Sequence, residues 1–294
     1  MIPDQYQNFE QIVSIACVNF NTVWGDKQAN LKKIKSFVVQ AAEQGNNIVA
    51  IPELALTGYE CDEPGKSCMH EVNAETIPGP STEEVAAVAK KYDIYVVFGM
   101  PERDQNDSKI RYISAAVIGP DGLIGAYRKL HLMSPPLTEK QCFKRGNSLP
   151  IFQTRYGPIG VQTCYDFWTF PEITRMLTLK GARIVINSAA SPAGPGKPLF
   201  IAQQTGARAV ENIIYTASAN LTGKDRTKFF YGHSTIAGRG SQIAQFYAKG
   251  GEEEGLVSAT LNFHLLHKLR QTNPIHENFR YDIVVKELKD IYQF

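Results

Sequence analysis

The sequence lacks long apolar runs and a strong charge of either sign. No uninterrupted apolar run approaches the roughly 20 residues that a membrane-spanning helix needs. The N-terminal stretch has neither a basic start nor an apolar core, so we expect no signal peptide. The 294 residues carry a net charge of only +2 at pH 7, which gives no reason to expect a nucleic acid or a membrane surface as a partner. These absences are typical of an ordinary globular protein of the cytoplasm.

Several motifs of well-known chemistry are also missing. There is no Cys-x-x-Cys pair and no Gly-x-Gly-x-x-Gly dinucleotide fingerprint, and the run Gly194-Pro-Gly-Lys197 is followed by proline rather than by the Ser or Thr of a phosphate loop. The 5 cysteines are an odd number, which favours free thiols in a reducing compartment. We interpret Cys61 and Cys68 as ordinary thiols, because no partner set stands at zinc spacing beside them. Cys17 is predicted to lie in a buried strand.

The order of the predicted elements indicates a mixed sheet, since alternating strands and helices give way to hairpins. Hydrophobic periodicity and turn signals predict strands over residues 11–20, 47–51, 94–99, 109–118, 123–132, 149–154, 159–163, 182–187, 213–220, 234–237, 243–247 and 255–261. Helices are predicted over residues 27–44, 81–92, 197–212 and 262–271, and from Pro171 to near Gly181. The tail from about residue 272 is interpreted as an arm that packs on something outside the core.

Two helix starts carry the pattern of a capping box. Ser81 is followed three residues later by Glu84, and Thr169 by Glu172. In such a box each side chain accepts a hydrogen bond from the backbone N–H of the other residue. We therefore expect these pairs to begin the helices that follow them.

Cys164 lies between a predicted strand and a predicted helix. Strand-to-helix turns lift a side chain out of the sheet and aim backbone N–H groups at a bound group. A thiol in that position can act as a nucleophile if its surroundings activate it. The alternative is a buried structural cysteine, and this stretch by itself leaves both interpretations open.

Two further candidates are a carboxylate and an amine close to the ends of predicted strands. Glu53 follows the strand over residues 47–51, and open α/β sheets place ligand-binding and catalytic side chains at such strand ends. Lys129 lies late in the strand over residues 123–132, and alternation places it on the same face as Tyr127 and His131. Taken singly, each is better explained as a solvated surface side chain.

Four motifs in a fixed order make the pattern specific. They are Pro52-Glu53-Leu54, Tyr127-Arg-Lys129-Leu-His131, Glu139-Lys-x-x-Phe143-x-x-Gly146, and Cys164-Tyr-Asp166 with Phe170-Pro-Glu172. In this combination the chain resembles the nitrilase superfamily, the carbon–nitrogen hydrolases, over about residues 13–263.

The resemblance implies a single α/β domain folded as a four-layer α-β-β-α sandwich over residues 1–294, with the C-terminal arm from about residue 272. It implies Glu53 as general base, Lys129 as cationic stabiliser and Cys164 as nucleophile, with Glu139 as the family's second glutamate. It requires no metal and no organic cofactor. The expected partner is a small-molecule amide, and we also expect a homodimer or a larger homo-oligomer.

The chemistry of these residue types agrees with such roles. A thiolate attacks amide and nitrile carbons well, and a free cysteine is mostly protonated at pH 7. A lysine ammonium nearby would favour the thiolate, and Glu53 could take the proton and return it to the leaving amine. Lys129 and the backbone N–H of Tyr165 could bind the oxyanion.

One departure from the family pattern affects the pocket. The run from Cys164 to Phe170 has one residue more than is common, and relatives that cleave N-carbamoyl amino acids place arginines where Phe167 and Trp168 stand here. With Tyr59 and Tyr165 these two would form an aromatic, substrate-binding wall, although packing against the loop is an equal alternative for Phe167 and Trp168. A wall without a cation predicts neutral amides rather than carboxylate-bearing ones.

The sequence thus predicts a hydrolase that cleaves a small amide or an N-carbamoyl amine through a cysteine thioester. Two alternatives remain open. A nitrilase would use the same residues on a C≡N bond, and a non-catalytic binding protein could keep the same fold.

Overall fold

A computed structural model describes residues 4–61, 68–134 and 139–292. The strands are β1 (Ile12–Asn21), β2 (Ile48–Ile51), β3 (Tyr95–Arg103), β4 (Arg111–Gly119), β5 (Gly122–Arg128), β6 (Phe152–Thr154), β7 (Gly157–Thr163), β8 (Ile184–Ala189), β9 (Tyr215–Lys224), β10 (Phe229–Tyr231), β11 (Thr235–Arg239), β12 (Ala244–Lys249) and β13 (Gly255–Asn262). The helices are α1 (Lys27–Glu43), α2 (Met69–Asn73), α3 (Pro80–Tyr92), α4 (Glu139–Cys142), α5 (Tyr165–Thr169), α6 (Pro171–Leu179), α7 (Lys197–Asn212), α8 (Phe263–Thr272) and α9 (Tyr281–Tyr292), and a short 3-10 turn covers Asp4–Tyr6.

The strands form two mixed sheets. The first has the order β5-β4-β3-β2-β1-β13 and the second the order β6-β7-β8-β9-β11-β12. Each has a parallel centre, β1-β2-β3 in one and β7-β8-β9 in the other, flanked by antiparallel strands. The sheets join where β1 pairs with β9, at Phe20 with Leu221 and Asn21 with Thr222.

Alternating side chains of the strands fill one core between the sheets and two cores outside them. Ile15 and Cys17 of β1 pack with Ile184 and Ile186 of β8 in the middle layer, which confirms the buried position predicted for Cys17. Helices α1 and α3 cover the first sheet, and α6 and α7 cover the second. The predicted four-layer α-β-β-α sandwich is therefore confirmed.

Helix α1 shows how the sequence specifies this layering. Asp26 is its N-cap and accepts a hydrogen bond from the backbone N–H of Ala29 at 3.0 Å. Leu31, Ile34 and Val38 lie one turn apart and are buried against the first sheet. This spacing gives one apolar stripe per helix, which is what a single covering layer needs.

Both predicted capping boxes are wrong. Helix α3 begins at Pro80, one residue early, and Thr82 makes the reciprocal hydrogen bonds with Gly79, while Ser81 donates its backbone N–H to Glu75. At the second site the short helix α5 ends at Thr169, and Phe170 takes the N-cap position of α6 without a side-chain cap. Proline at the first helical position decides both starts, since it needs no acceptor for an N–H.

The C-terminal arm contains helix α9. None of the residues described in this helix is buried, and Ile283, Val284 and Ile291 are among its exposed apolar side chains. A helix with an exposed apolar face usually covers another surface. No helix in the described ranges has the length and apolar character needed to cross a membrane.

Candidate active site

Three strands of the two sheets end at one place and bring the predicted residues together. Glu53 follows β2, Lys129 follows β5 and Cys164 follows β7, and Lys129 Nζ lies 2.7 Å from Glu53 Oε1. Glu53 and Lys129 are fully buried, and Cys164 is 8% exposed. The thiol of Cys164 is close enough to the Glu53 carboxylate for each group to affect the pKa of the other. A charged pair with no access to water therefore stands directly beside a slightly accessible thiol.

The backbone at Cys164 has an unusual conformation, with φ at 47° and ψ at −102°. Its N–H donates to Asn187 Oδ1 at 2.9 Å and to the carbonyl oxygen of Ser188 at 3.1 Å, which holds the turn in place. A positive φ is costly for a residue with a Cβ and persists only where the surroundings fix it. The turn directs the thiol away from the sheet and starts helix α5 at Tyr165.

Glu53 is held by its neighbours on both sides. Ala190 donates its backbone N–H to Glu53 Oε2 at 3.0 Å, and the next residue, Leu54, has a φ of 52°. The chain at Glu53 also presses against β3, where a Cβ added to Gly99 would meet the carbonyl oxygen of Pro52 at 2.4 Å and the Cα of Glu53 at 2.6 Å. Only glycine at position 99 allows this close approach.

Glu139 provides the second carboxylate that accepts a hydrogen bond from the Lys129 ammonium. Its Oε1 accepts from Lys129 Nζ at 2.8 Å and from the Tyr59 hydroxyl at 2.7 Å, and its Oε2 accepts from the backbone N–H of Met133 at 2.9 Å. Lys129 is thus placed between two carboxylates. The segment that carries Tyr59 is fixed in turn, because Asp225 accepts the backbone N–H of Tyr59 at 2.9 Å.

Burial and the neighbouring charges shift the pKa values of all three central groups. Burial by itself would lower the pKa of Lys129, but Glu53 and Glu139 raise it above its ordinary value, so the amine stays charged. Burial raises the pKa of Glu53 to about 7, against the opposing effect of Lys129. Burial, together with Glu53, raises the pKa of Cys164, and the attraction of Lys129 does not offset this. Lys129 thus favours the thiolate, as the sequence analysis expected, but burial and Glu53 oppose it more strongly.

A cavity of about 280 Å³ opens above Cys164. Its lining residues are Tyr59, Met133, Cys164, Tyr165, Trp168, Thr169, Ala190, Ser191, Pro192, Lys197 and Phe200. Tyr59, Tyr165 and Trp168 therefore lie where the sequence placed an aromatic wall.

Phe167 does not line this cavity, which corrects the prediction for this residue. It is fully buried and packs with Leu177 and Ile201 under helices α6 and α7. Successive residues of a helical turn point about 100° apart, so when Trp168 faces the cavity its neighbour faces the core.

The cavity wall also contains a cation that the sequence analysis did not anticipate. Lys197 is the first residue of α7, and its Nζ lies 4.7 Å from the centroid of the Phe200 ring. The expectation of neutral amides assumed a wall without positive charge, and that assumption is wrong.

The family assignment follows from comparison with known proteins. The carbon-nitrogen hydrolase model matches residues 14–271. The chain belongs to the carbon–nitrogen hydrolases. It is 33% identical over 285 residues to a probable nitrilase of Schizosaccharomyces pombe, covering 95% of this chain and 97% of that protein. It is also 33% identical over 272 residues to an omega-amidase of Xenopus tropicalis, covering 90% of this chain and 94% of that protein. The crystal structure of an amidase from Nesterenkonia sp. superposes with a TM-score of 0.73 at 26% identity, covering 94% of this chain and 97% of that one.

In this carbon–nitrogen hydrolase Asp166 organises the segment around Lys129, a role that the sequence analysis missed. Its carboxylate accepts from the Tyr127 hydroxyl at 2.5 Å, from the backbone N–H of Leu130 at 2.9 Å, and from the backbone N–H and Nδ1 of His131 at 2.8 and 2.7 Å. The turn after Cys164 and the turn after β5 are thereby tied together. The signal in the sequence was its position two residues after Cys164.

The extra residue of the hydrolase motif lies in the helical turn of α5. The carbonyl oxygen of Cys164 accepts the N–H groups of both Phe167 and Trp168, at 3.0 and 2.9 Å. Phe170 then stacks on the His131 ring at a centroid distance of 3.7 Å. The insertion is therefore absorbed within a closed turn that stays in contact with the segment around Lys129.

Proposed function

We propose that this carbon–nitrogen hydrolase is an amidase that cleaves small linear carboxamides or N-carbamoyl amines through a thioester on Cys164. The observation that carries the proposal is the buried Glu53–Lys129 pair, with a nitrogen-to-oxygen distance of 2.7 Å, in contact with a thiol at the base of a small cavity. Two relatives named above, an omega-amidase and an amidase of known structure, support the choice of an amide.

The first half-reaction forms the thioester. Glu53 takes the thiol proton as Cys164 Sγ attacks the carbonyl carbon, and the carbonyl oxygen becomes an oxyanion. The ammonium of Lys129 and the N–H of Tyr165, at the open N-terminal end of α5, provide its donors. When the intermediate collapses, the C–N bond breaks and protonated Glu53 returns its proton to the departing nitrogen.

The second half-reaction regenerates the enzyme. A water molecule gives a proton to Glu53 and attacks the thioester carbon, the C–S bond breaks, and the sulfur regains its proton. The products are a carboxylic acid and ammonia, or an amine and carbamic acid. A base is needed at both steps, first because burial raises the pKa of the thiol and then because the attacking water must lose a proton.

Glu53 should make activity depend on pH near neutrality. Only the ionised carboxylate accepts a proton, and its pKa is about 7. We therefore expect kcat/KM to be constant above about pH 7 and to fall by up to tenfold for each pH unit below it. Thermal unfolding over the same pH range is the control for loss of folded protein. An activity that stays flat down to pH 5 would rule out Glu53 as the base.

Product analysis on a substrate panel tests the proposed reaction. Ammonia and acid are measured with matched primary amides, N-carbamoyl amines, ureas and nitriles. Turnover of amides or carbamoyl amines with no conversion of nitriles supports the proposal. Conversion of nitriles to acids in preference to the amides would make the enzyme a nitrilase, as one relative is named, and turnover of no member would favour a binding protein.

Lys197 is expected to favour substrates with a distant carboxylate, because its ammonium is the charge at the cavity wall. Lys197→Met keeps the length of the side chain and removes the charge. We expect kcat/KM for a carboxylate-bearing amide to fall about tenfold, as for a lost ion pair, and that for the matched neutral amide to change less than about twofold.

Lys249→Met is the matched control for this experiment. Lys249 Nζ also lies over a phenylalanine ring, 4.9 Å from the Phe246 centroid, but this lysine is on β12 outside the cavity. An equal loss with both amides in Lys197→Met would show that Lys197 acts on the fold of the wall and not on a carboxylate.

The assembly and location of the enzyme are proposals of the same kind. We propose that the exposed apolar face of α9 covers a second copy of the chain, which would make the protein a homodimer or a larger homo-oligomer. The cytoplasm suits the five cysteines, all within the described ranges and all free.

A further inference from the structure

Three cysteines outside the active site have their sulfur atoms at one point. The Sγ of Cys61 lies 2.8 Å from that of Cys68 and 2.6 Å from that of Cys142, and the last two are 2.8 Å apart. All three side chains are partly buried. They come from three places in the chain: the end of the Tyr59 segment, the residue before α2, and the last residue of α4.

This cluster corrects the interpretation of Cys61 and Cys68 as ordinary thiols. Their spacing of seven positions fits no local zinc motif, and the third sulfur is supplied from a distant element by the fold. No such signal is present in the linear sequence.

The arrangement suits a metal ion better than it suits packing or a disulfide. A disulfide would bring two sulfurs to about 2.05 Å and leave the third sulfur farther away. Here the three Sγ–Sγ distances are nearly equal. Sulfur ligands about 2.3 Å from a central ion in tetrahedral geometry are about 3.8 Å apart, so each sulfur would move outward by roughly 0.6 Å to admit one. Thiolate ligands favour ions such as Zn²⁺ and Cu⁺.

Positive charge stands close to the cluster. Arg111 interacts electrostatically with Cys142, and Arg226 Nη1 donates to the carbonyl oxygen of Cys61 at 3.3 Å. Three thiolates around one divalent ion carry a net charge of −1. Guanidinium groups nearby would offset that charge, as surrounding groups commonly do at metal sites.

We propose that Cys61, Cys68 and Cys142 bind one thiophilic metal ion of the class that includes Zn²⁺ and Cu⁺. The ion links two segments that hold the active site. Cys61 is two residues beyond Tyr59, Cys142 ends the helical turn that begins with Glu139, and the Tyr59 hydroxyl already donates to Glu139 at 2.7 Å. Bound metal would stabilise the position of Glu139 beside Lys129 without taking part in the reaction.

The test is a titration of the full chain carrying Cys164→Ala, which removes the active-site thiol as a competing ligand. Protein treated with chelator and reductant is titrated with Zn²⁺, and separately with Cd²⁺ followed by the ultraviolet charge-transfer absorption of cadmium thiolates. We expect one ion per chain and a rise in Tm on addition of Zn²⁺, because a ligand that binds only the folded state stabilises it.

Variants at the cluster identify the ligands. Adding Cys142→Ser or Cys68→Ser to the Cys164→Ala chain should weaken binding at least tenfold, and the three serines together should abolish it. Cys17 stays in place in every variant and is buried in the central core. Circular dichroism checks the fold, and the single variants remain informative if the triple variant does not fold.

Three outcomes would overturn the proposal. One is no binding of either ion by the fully reduced protein. Another is unchanged stoichiometry in a folded triple-serine variant. The third is a disulfide between two of these residues, found by peptide mass mapping, in protein that binds no metal after reduction. Binding is measured without turnover, so its failure is distinguishable from failure of the amidase proposal.

Discussion

Cys164→Ala is expected to abolish ammonia release from any amide substrate while the protein remains folded. Cys164 is 8% exposed, lines the cavity and interacts electrostatically with Glu53. The Tyr59 hydroxyl in the same wall is not expected to replace it, because this hydroxyl donates to Glu139 and its pKa is raised well above its ordinary value by burial and by the charges of Glu139 and Glu53. Without a nucleophile the rate falls to the background of the assay.

Cys17→Ala is the matched control for this variant. Cys17 is also a buried thiol, but it lies in the core between the sheets. Both variants remove one buried sulfur, and only Cys164→Ala should lose turnover. Wild-type ammonia release by a folded Cys164→Ala protein, or an equal loss in both variants, would refute the role of Cys164 as nucleophile. Unfolding curves for all three proteins separate chemistry from stability.

The second large effect is expected at the ion pair. Glu53→Gln removes the base and keeps the shape of the side chain, and Lys129→Met removes the charge that binds the oxyanion. Each should lower kcat by a factor of roughly a hundred or more. The two residues act as a unit, so the double variant should lose much less than the product of the single losses.

Lys129→Met should also destabilise the fold. It leaves Glu53 and Glu139 buried and facing each other without their shared cation, and breaking a buried pair costs about 3–5 kcal/mol. Glu53→Gln should cost less, since an amide can still accept from Lys129. Glu139→Gln is expected to impair turnover too, because it weakens the hold on Lys129.

Urea unfolding and steady-state kinetics on the same preparations check these expectations. If a folded Glu53→Gln or Lys129→Met enzyme keeps most of its kcat, the role assigned to that residue is wrong. Losses that multiply in the double variant would show that the two residues act independently.

Four short motifs in a fixed order were sufficient to single out the residues that we propose carry out the chemistry. Glu53, Lys129 and Cys164 each stand at the end of a strand, and strand ends can be read from alternation and turn residues. The structure brings these three residues together with Lys129 Nζ 2.7 Å from Glu53. Strands β2 and β7 belong to the parallel centres of the two sheets, and β5, which is antiparallel to β4, runs in the same direction as β3. The patterns of alternating and helical burial indicated a mixed sheet, and the four layers were implied by the family resemblance.

The roles of residues that depend on a distant neighbour could not be predicted from local sequence patterns. Phe167 faces the core and Trp168 faces the cavity. These orientations depend on how α5 packs against α6 and α7. Lys197 reaches the cavity because α7 begins beside it. The four hydrogen bonds to Asp166 come from a hairpin more than 30 residues away.

The sequence by itself determined the family and the residues proposed for the active site, through short motifs, and most of the strands and long helices, through the period of apolar residues. The tertiary structure decided the cation in the cavity wall, the raised pKa of the Cys164 thiol and the convergence of Cys61, Cys68 and Cys142. The physical reason is that burial, charge and ligand geometry depend on which distant segments pack together, and no local pattern specifies that contact.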